Sequence, residues 1–325
     1  MKPRAALPKF LKRKKVPQFN ILPLMNNTTT AISYSGPAQK KREATMEDWD
    51  LEIKPHDKLF NLHLKDVWQY RDLMWLFVRR DFVAQYKQTV LGPIWHFVQP
   101  LLTTAMFLMV FGQIAKIPTD GIAPVAFYMS GITLWSYFSS ALTSTSNTFV
   151  GNASIFGKVY FPRLVLPISV VISNIVKLGI QLLLLAAVIT YYHFNGYPFH
   201  LRPEVLLIPL LVIQLALLGL GLGIIISSVT TKYRDFSILL GFAVQLYMYI
   251  TPIVYPLSYV EDKSYKWLIL ANPLTPVVET FRLAIFGVGT VSPTSMLYSI
   301  GFTLAALFAG IVLFNRVEKT FMDTV

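Results

Sequence analysis

One glycine-rich stretch and one charged side chain are the first candidates for chemistry in this sequence. The stretch Gly151–Lys158 is similar to a phosphate-binding loop, but five residues lie between its glycines and Val159 follows its lysine. A P-loop needs four residues there, and Ser or Thr after the lysine. We therefore predict that this chain binds no ATP. Lys177 is the only charge inside a predicted membrane span, where a charge faces protein or water rather than lipid. The alternative is a lysine paired with a nearby carbonyl oxygen.

Other patterns that support catalysis or metal binding are missing. The sequence contains no cysteine, which excludes disulfides, thiol catalysis and cysteine-ligated zinc. Its five histidines have no metal-ligand spacing, and no Ser/His/Asp set or carboxylate pair lies in the membrane body. Gly219 and Gly223 belong to no nucleotide-binding fingerprint, and their spacing of four residues predicts close helix contact. We predict no catalytic residue, metal or cofactor in this chain.

Several aromatic side chains lie in or beside the predicted spans. Trp135, Tyr137 and Tyr247 are about a dozen residues from the span ends, too deep for the usual aromatic belt at the membrane surface. Aromatic faces also stack on sugar rings, so these side chains could line a path for carbohydrate. The candidates for this path are Trp95, Tyr128, Trp135, Tyr137, Tyr247 and Tyr249.

Basic residues precede the first span at the depth of the lipid headgroups. Arg79, Arg80 and Lys87 lie just before Gly92-Pro93, where the apolar sequence begins. An arginine can bind phosphate through two parallel hydrogen bonds, which a lysine cannot reproduce. These three residues are candidates for binding a lipid diphosphate. The alternative is that Arg80 pairs only with Asp81 or with bulk lipid phosphates.

The composition indicates the elements that position these residues. The chain is 54% hydrophobic and 14% charged, which is typical of an integral membrane protein. We predict an all-α membrane protein with an N-terminal amphipathic interfacial helix and two short outer re-entrant helices. The six predicted transmembrane helices cover residues 94–115, 123–149, 164–192, 205–229, 236–256 and 294–314.

The distribution of charge predicts the orientation in the membrane. The net charge is +12, but residues 1–42 hold ten Lys and Arg and no acid. The remaining 283 residues hold 19 basic against 17 acidic residues, so the basicity belongs to the tail and nucleic acid is not a predicted partner. Membrane lipid is the predicted partner of the tail. An even number of spans and the positive-inside rule place both termini in the cytoplasm.

Three regions follow from these patterns. Residues 1–46 are predicted to be a disordered basic tail, residues 47–93 a cytoplasmic or interfacial amphipathic region, and residues 94–325 a six-span membrane domain. Within 59–91, an apolar stripe on one helical face predicts contact with the membrane surface. The alternative is a cytosolic helix packed on protein. The stripe consists of Val67, Tyr70, Met74, Phe77 and Val78.

The outer segment 257–293 contains two short apolar runs. They are Tyr265–Ala271 and Val277–Val288, and Asn272–Pro276 separates them. Each run is too short to span the membrane, so we predict two short helices that enter from the outer face. A surface helical hairpin is the alternative.

Four groups of residues, in chain order, resemble the type-2 ABC exporter permeases that handle O-antigen, capsule and teichoic acid. The likeness covers about residues 47–325 and is greatest for the O-antigen exporter permeases, while the basic tail departs from the pattern. The groups are Arg80-Asp81 with Tyr86, Gln88–Gly92, Trp95 and Gln99-Pro100; Asn152 with Lys158–Arg163 and Pro167; Tyr233–Asp235 with Thr251-Pro252 and Tyr255; and Asn272-Pro273 with Arg282.

The resemblance implies a transport subunit rather than an enzyme. It implies a homodimer of permeases in the bacterial inner membrane, with two copies of a separate P-loop ATPase that binds ATP and Mg. The implied cargo is an O-antigen-like polysaccharide on a polyprenyl diphosphate lipid, with capsule, teichoic acid or another lipid-linked glycopolymer as alternatives. A secondary transporter would carry acids within its spans, and a membrane glycosyltransferase would carry a large catalytic loop. This sequence has neither.

The resemblance also implies sites of coupling and gating. Asn272, Pro273 and Arg282 correspond to the outer gate. Energy from the ATPase must enter through the two short inner loops, 150–163 and 230–235. The first is predicted to form a helix from Asn152 to about Tyr160 whose apolar face anchors in the ATPase, or, alternatively, folds back on lipid. The predicted coupling residues are Asn152, Ile155, Phe156, Lys158, Val159, Tyr160, Arg163, Lys232, Tyr233, Arg234 and Asp235.

Overall fold

A computed structural model describes residues 64–87, 89–156, 161–197, 202–231, 233 and 235–324. All of them belong to one compact unit, which covers 57–325. The predicted basic tail 1–46 lies outside the described residues, as do residues 47–63 of the predicted interfacial region. The described residues form helices, turns and irregular segments, with no strand among them.

Twelve helices can be assigned over this part of the chain. They are α1 (Leu64–Gln69), α2 (Arg71–Tyr86), α3 (Gly92–Ile114), α4 (Pro124–Ser146), α5 (Thr148–Gly151), α6 (Ala153–Phe156), α7 (Val165–Phe194), α8 (Pro203–Thr230), α9 (Asp235–Ile250), α10 (Lys266–Leu270), α11 (Leu274–Phe286) and α12 (Pro293–Thr324). Each predicted span coincides with one long helix, although α9 is shorter than its predicted span.

Four helices are long and apolar enough to cross a membrane, namely α3, α7, α8 and the Pro293–Arg316 part of α12. The chain is therefore a multi-pass membrane protein. The other two predicted spans are less clear by this measure. In α4, nine of the 23 residues are Ser or Thr, and α9 has only 16 residues.

Proline marks the beginning of several helices. Pro93, Pro124, Pro203 and Pro293 all lie in the first turn, where a missing backbone N–H costs little and the fixed φ suits a helix. At the C-terminal end of α11, Gly287 has φ 72° and ends the helix in the left-handed conformation. These signals fix helix ends that hydropathy alone leaves approximate.

The first span ends in an unusual conformation. Within α3, the segment Leu108–Ile114 is a π-helix, and the N–H of Ala115 donates to the carbonyl of Val110 at 2.9 Å. This bond joins residues five apart in the sequence rather than four apart, so the segment holds more residues per turn than an α-helix.

The centre of the unit is the crossing of α8 with α4 and α12. A Cβ atom on Gly223 would lie 2.5 Å from Cβ of Thr145 in α4, and one on Gly221 would lie 2.8 Å from the backbone of Leu307 in α12. The absence of side chains at these positions lets the helix backbones approach. The prediction that glycines of this span serve close helix packing is confirmed.

The helix before the first span has two apolar faces. Phe77 and Val78 of its predicted stripe are 7% and 5% exposed, and Phe77 belongs to a cluster with residues of the loop and helix around 161–171. Protein, not lipid, therefore covers the stripe, as in the alternative interpretation. The opposite face exposes Trp75 and Leu76 by 66% and 60%, two residues that do not belong to the predicted stripe.

The outer segment contains the two predicted short helices, with one correction to their limits. The break between α10 and α11 covers only Ala271–Pro273, and Pro276 lies inside the first turn of α11. A proline in a first turn removes no hydrogen bond. The predicted break Asn272–Pro276 therefore extended too far into α11. Eleven of the 13 residues of α11 are buried, whereas α10 buries only Ile269.

Candidate functional site

The predicted diphosphate-binding arginines occupy different environments. Arg80 forms an ion pair with Asp81 at 2.7 Å, and its guanidinium lies 4.8 Å from the ring centre of Phe77. The same guanidinium donates to Oδ1 of Asn152 at 3.4 Å, so it connects α2 to the first inner loop. Arg79 and Lys87 are exposed. Of the three, these two are the more open to solvent or headgroups.

Loop 150–163, the first of the two predicted inner loops, contains the end of α5 and all of α6, whereas residues 157–160 of its predicted helix lie outside the described residues. After α5, the side-chain amide of Asn152 donates to the carbonyl of Thr148 at 3.0 Å and ends that helix. Helix α6 follows, and its Ile155 packs against the chain's own core cluster. Part of the predicted apolar face is thus already covered. Arg163 lies in the turn before α7.

Other predicted coupling residues can be placed only in part. Lys158, Val159 and Tyr160 lie outside the described residues, as do Lys232 and Arg234 and the side chain of Phe156. In the second inner loop, Tyr233 is 53% exposed. Asp235 lies in the first turn of α9, where a negative charge is favoured by the helix dipole.

The predicted aromatic path divides into exposed and covered rings. Trp135 and Tyr247 pack together with ring centres 5.9 Å apart. Tyr128 and Tyr137 are 0% and 2% exposed, so within one chain neither ring can face a passing polymer. Trp95 on α3 and Tyr249 on α9 are both 47% exposed. These two rings are therefore the better candidates for stacking on a sugar. Trp95 is near the start of α3, and Tyr249 is near the end of α9.

The predicted outer gate residues hold three helices together. Asn272 accepts a hydrogen bond from the Tyr247 hydroxyl at 2.6 Å and donates to Oγ1 of Thr251 at 2.9 Å. The carbonyl of Pro273 accepts from Ser299 of α12 at 2.5 Å. The junction between α10 and α11 is therefore attached to the end of α9 and to α12.

Arg282 lies at the centre of a buried polar cluster in α11. Its guanidinium contacts Oε1 of Glu279 at 3.3 Å and donates to the carbonyl of Ile253 at 2.9 Å. It also stacks on the ring of Phe127, 3.9 Å from the centroid. The second carboxylate oxygen of Glu279 accepts from the N–H of Thr290 at 3.2 Å. Burial raises the pKa of Glu279, and the Arg282 charge opposes that shift.

Glu279, the buried partner of Arg282, was not among the predicted site residues. The signal was available, because Glu279 and Arg282 are three residues apart in an otherwise apolar helix. Opposite charges at this spacing are neighbours on a helix surface. Their joint burial depends on the packing of α4 and the end of α9, which no single-helix pattern contains.

Lys177 borders a polar cavity of about 110 Å³ between α2, α3, α4 and α7. Three residues are buried in its wall, namely Tyr137 of α4 and Asn174 and Gln181 of α7. Gln85 and Gln99 are exposed at its edge. The lining residues are Gln85, His96, Gln99, Ser136, Tyr137, Ser140, Asn174, Lys177, Leu178 and Gln181.

Hydrogen bonds around this cavity are incomplete. Gln181 donates to Oγ of Ser136 at 3.3 Å, and the Tyr86 hydroxyl contacts Nε2 of His96. Within the described part of the chain, the Tyr137 hydroxyl and Oδ1 of Asn174 have no partner. The sequence predicted Lys177 as an intramembrane charge and Tyr137 as part of a carbohydrate path, but it did not predict that they share a cavity. The spacing of Asn174, Lys177 and Gln181 along one face of α7 was the signal that could have found the neighbours of Lys177 on that helix.

Two of the predicted spans are more exposed than the other four. In α9 only Leu240 is buried, and the α-helical part of α3 buries only His96, Pro100 and Thr104. Both helices are apolar, so lipid or another apolar protein surface must cover them.

Comparison with known proteins places this chain among membrane transporters. A model of the ABC-2 type transporter family matches residues 72–286. The chain is 28% identical over 256 residues to an O-antigen export system permease protein of Klebsiella pneumoniae, covering 78% of this chain and 94% of that protein. A protein of the same description from Myxococcus xanthus is 28% identical over 226 residues, covering 69% and 83% of the two chains. The polysialic acid transport protein of Escherichia coli is 25% identical over 253 residues, covering 75% and 93%.

Proposed function

Because this chain belongs to the ABC-2 type transporter family, we propose that it is the membrane-spanning subunit of an ATP-driven polysaccharide exporter. The cargo is an O-antigen-like polysaccharide carried on a polyprenyl diphosphate lipid. The observation that supports this most directly is the match to O-antigen export permeases over 94% of their length. Capsular polysaccharide is a second candidate cargo, because capsule export proteins also match over most of the chain.

The proposed topology has six spans in the bacterial inner membrane, with both termini in the cytoplasm. Helices α3, α4, α7, α8, α9 and α12 form the spans, and α10 and α11 enter from the outer face. Helix α2 lies along the inner surface, where its exposed Trp75 and Leu76 would contact the headgroup region.

The proposed assembly is a permease homodimer with two copies of a separate ATPase. The exposed apolar surfaces of α3 and α9 support a second copy, since one copy leaves them uncovered. The ATPase subunit supplies ATP and Mg binding, because this chain has no P-loop. The two inner loops are the surfaces available to receive its motion.

The proposed cargo path lies between the two copies. Trp95 and Tyr249 present exposed rings on the two uncovered helices, and aromatic rings stack on sugars without requiring one particular sugar sequence. Arg79 and Lys87 are exposed before the first span and could attract an anionic headgroup to the entrance. Chemistry on the cargo is not part of this proposal; the chain moves it.

A deletion in the source bacterium tests the proposal. Loss of the gene should abolish surface polysaccharide while lipid-linked polysaccharide accumulates on the cytoplasmic side, and the intact gene should restore export. The readouts are surface carbohydrate staining and extraction of the lipid-linked intermediate. A matched control deletes the partner ATPase, which should give the same accumulation. Normal surface polysaccharide in the permease deletion would contradict the proposal.

A further inference from the structure

The cavity beside Lys177 combines a charged side chain, buried polar groups and open volume. Its volume is about 110 Å³, whereas a single water needs roughly 10–15 Å³ on the same measure. The space therefore holds several waters or one group the size of a phosphate. A cavity with so polar a lining does not suit an apolar ligand, because its hydrogen-bonding groups would be left unpaired.

The charges around the cavity favour an anion. Of the described residues that line it, none is Asp or Glu, and a lysine ammonium offers three donors and no acceptor. Asp81 on α2 is held by Arg80 at 2.7 Å. No carboxylate among the described residues forms an ion pair with Lys177. The positive charge is thus left for a ligand.

The unpartnered groups refine the ligand's chemistry. The Tyr137 hydroxyl, buried and without an acceptor, can donate to a phosphate oxygen. Oδ1 of Asn174 is buried and without a donor, while the amide nitrogen of the same side chain donates to the carbonyl of Val170 at 3.0 Å. Such an oxygen accepts from a hydroxyl group. One anionic group with an adjacent hydroxyl, such as a phosphate joined to a sugar, satisfies both.

The position of the cavity also fits a lipid-linked group. Lys177 lies twelve residues after Val165, which corresponds to about 18 Å along α7. Gln85 at the end of α2 and Gln99 near the beginning of α3 are exposed beside it. Along α3, the neighbouring Leu102 and Met106 expose 61% and 57% of their surface. A headgroup in the cavity could therefore be continuous with an apolar tail on α3.

We propose that this cavity binds the sugar-linked phosphate of the lipid-linked cargo and the sugar hydroxyl beside it, with Lys177 as the cationic contact. Tyr137 binds a phosphate oxygen and Asn174 binds a hydroxyl of the first sugar. This inference rests on the proposed export function and names the part of the chain that holds the cargo. It differs from the sequence-based assignment, because Arg80 is already paired and the contact lies deeper in the membrane.

Binding of a short prenyl diphosphate tests the proposal. The full-length chain in phosphatidylcholine nanodiscs would be titrated with farnesyl diphosphate by microscale thermophoresis. Lys177→Met should weaken binding by about tenfold or more, since a charged hydrogen-bonding partner is lost. Tyr137→Phe should weaken it by about fivefold, and Lys177→Arg should retain most of the affinity. Lys65→Met, at an exposed lysine of α1, is the matched control and should bind as the wild type does.

Competition experiments separate the possible sources of the anion. Farnesyl monophosphate and inorganic pyrophosphate should displace the probe, while farnesol should not, because recognition is of the phosphate. Displacement by phosphatidylglycerol as effective as that by farnesyl diphosphate would overturn the cargo assignment in favour of bulk lipid. If the wild type and Lys177→Met bind the probe equally, the cavity is not the site, although the export function stands. If the wild type binds no prenyl diphosphate at all, the proposed lipid-linked cargo itself is wrong.

Discussion

Two regions of this protein hold charged side chains in apolar surroundings, and they differ in how those charges are satisfied. In α11, Glu279 and Arg282 are each 2% exposed and contact one another, backbone groups and an aromatic ring. In α7, Lys177 has no carboxylate partner among the described residues and borders open volume. A charge surrounded by fixed partners stabilises the fold, whereas a charge beside a cavity is available to a ligand.

Separating the buried pair should have the largest effect on stability. Glu279→Leu leaves the Arg282 charge buried without its carboxylate, which should cost about 3–5 kcal/mol. The double variant Glu279→Leu/Arg282→Met removes both charges and should recover a large part of that loss. Thermal unfolding of the purified chain in one detergent measures both. Glu261→Leu, at an exposed outer residue, is the control. A single variant as stable as the wild type would remove the distinction between the two regions.

Two tyrosines that differ in their hydrogen bonds provide a sharper test. Tyr247→Phe removes the hydroxyl that donates a hydrogen bond to Oδ1 of Asn272 at 2.6 Å. The free energy of unfolding should fall by about 1 kcal/mol. Tyr137→Phe removes a hydroxyl without a partner in the described structure, so stability should be unchanged or slightly higher. Unfolding midpoints under identical conditions compare the pair. Equal destabilisation by both substitutions would mean that Tyr137 is as firmly bonded within the fold as Tyr247.

The smallest change in stability is expected at the cavity lysine. Lys177→Met removes a charge that has no ion-pair partner in the described structure, and methionine is a side chain of similar length. The free energy of unfolding should change by less than about 0.5 kcal/mol. The unfolding midpoint, measured beside Glu279→Leu, checks this. Destabilisation as large as that of the α11 variant would show that Lys177 is a structural charge.

The long helices were largely predictable from the sequence. Hydropathy over about twenty residues is a strong signal. Each of the six predicted spans coincides with a helix, and α10 and α11 lie where the two short outer runs indicated. The limits of α11 were less predictable, because Pro276 fits a first turn as well as it fits a break.

Contacts between helices were the part that the sequence did not contain. Arg80 and Asn152 are 72 residues apart, and Tyr247 and Asn272 are 25 apart. Which residues so far apart in the sequence come into contact depends on how the helices pack, not on local periodicity. The cavity illustrates the same limit, because Lys177 was identified as an intramembrane charge while the walls contributed by α2, α3 and α4 were not.

The π-helical end of the first span affects how this protein can be compared with others. Ala115 bonds to Val110 rather than to the residue four before it, so Leu108–Ile114 holds one residue more than an α-helix of the same path would. A relative whose first span is α-helical throughout would align with this chain only if a one-residue gap were placed in that segment. Without the gap, each residue that follows the insertion would be matched to its sequence neighbour, which within a helix lies about 100° away around the axis. Statements about shared residues at the C-terminal end of α3 therefore depend on where an alignment places a single insertion.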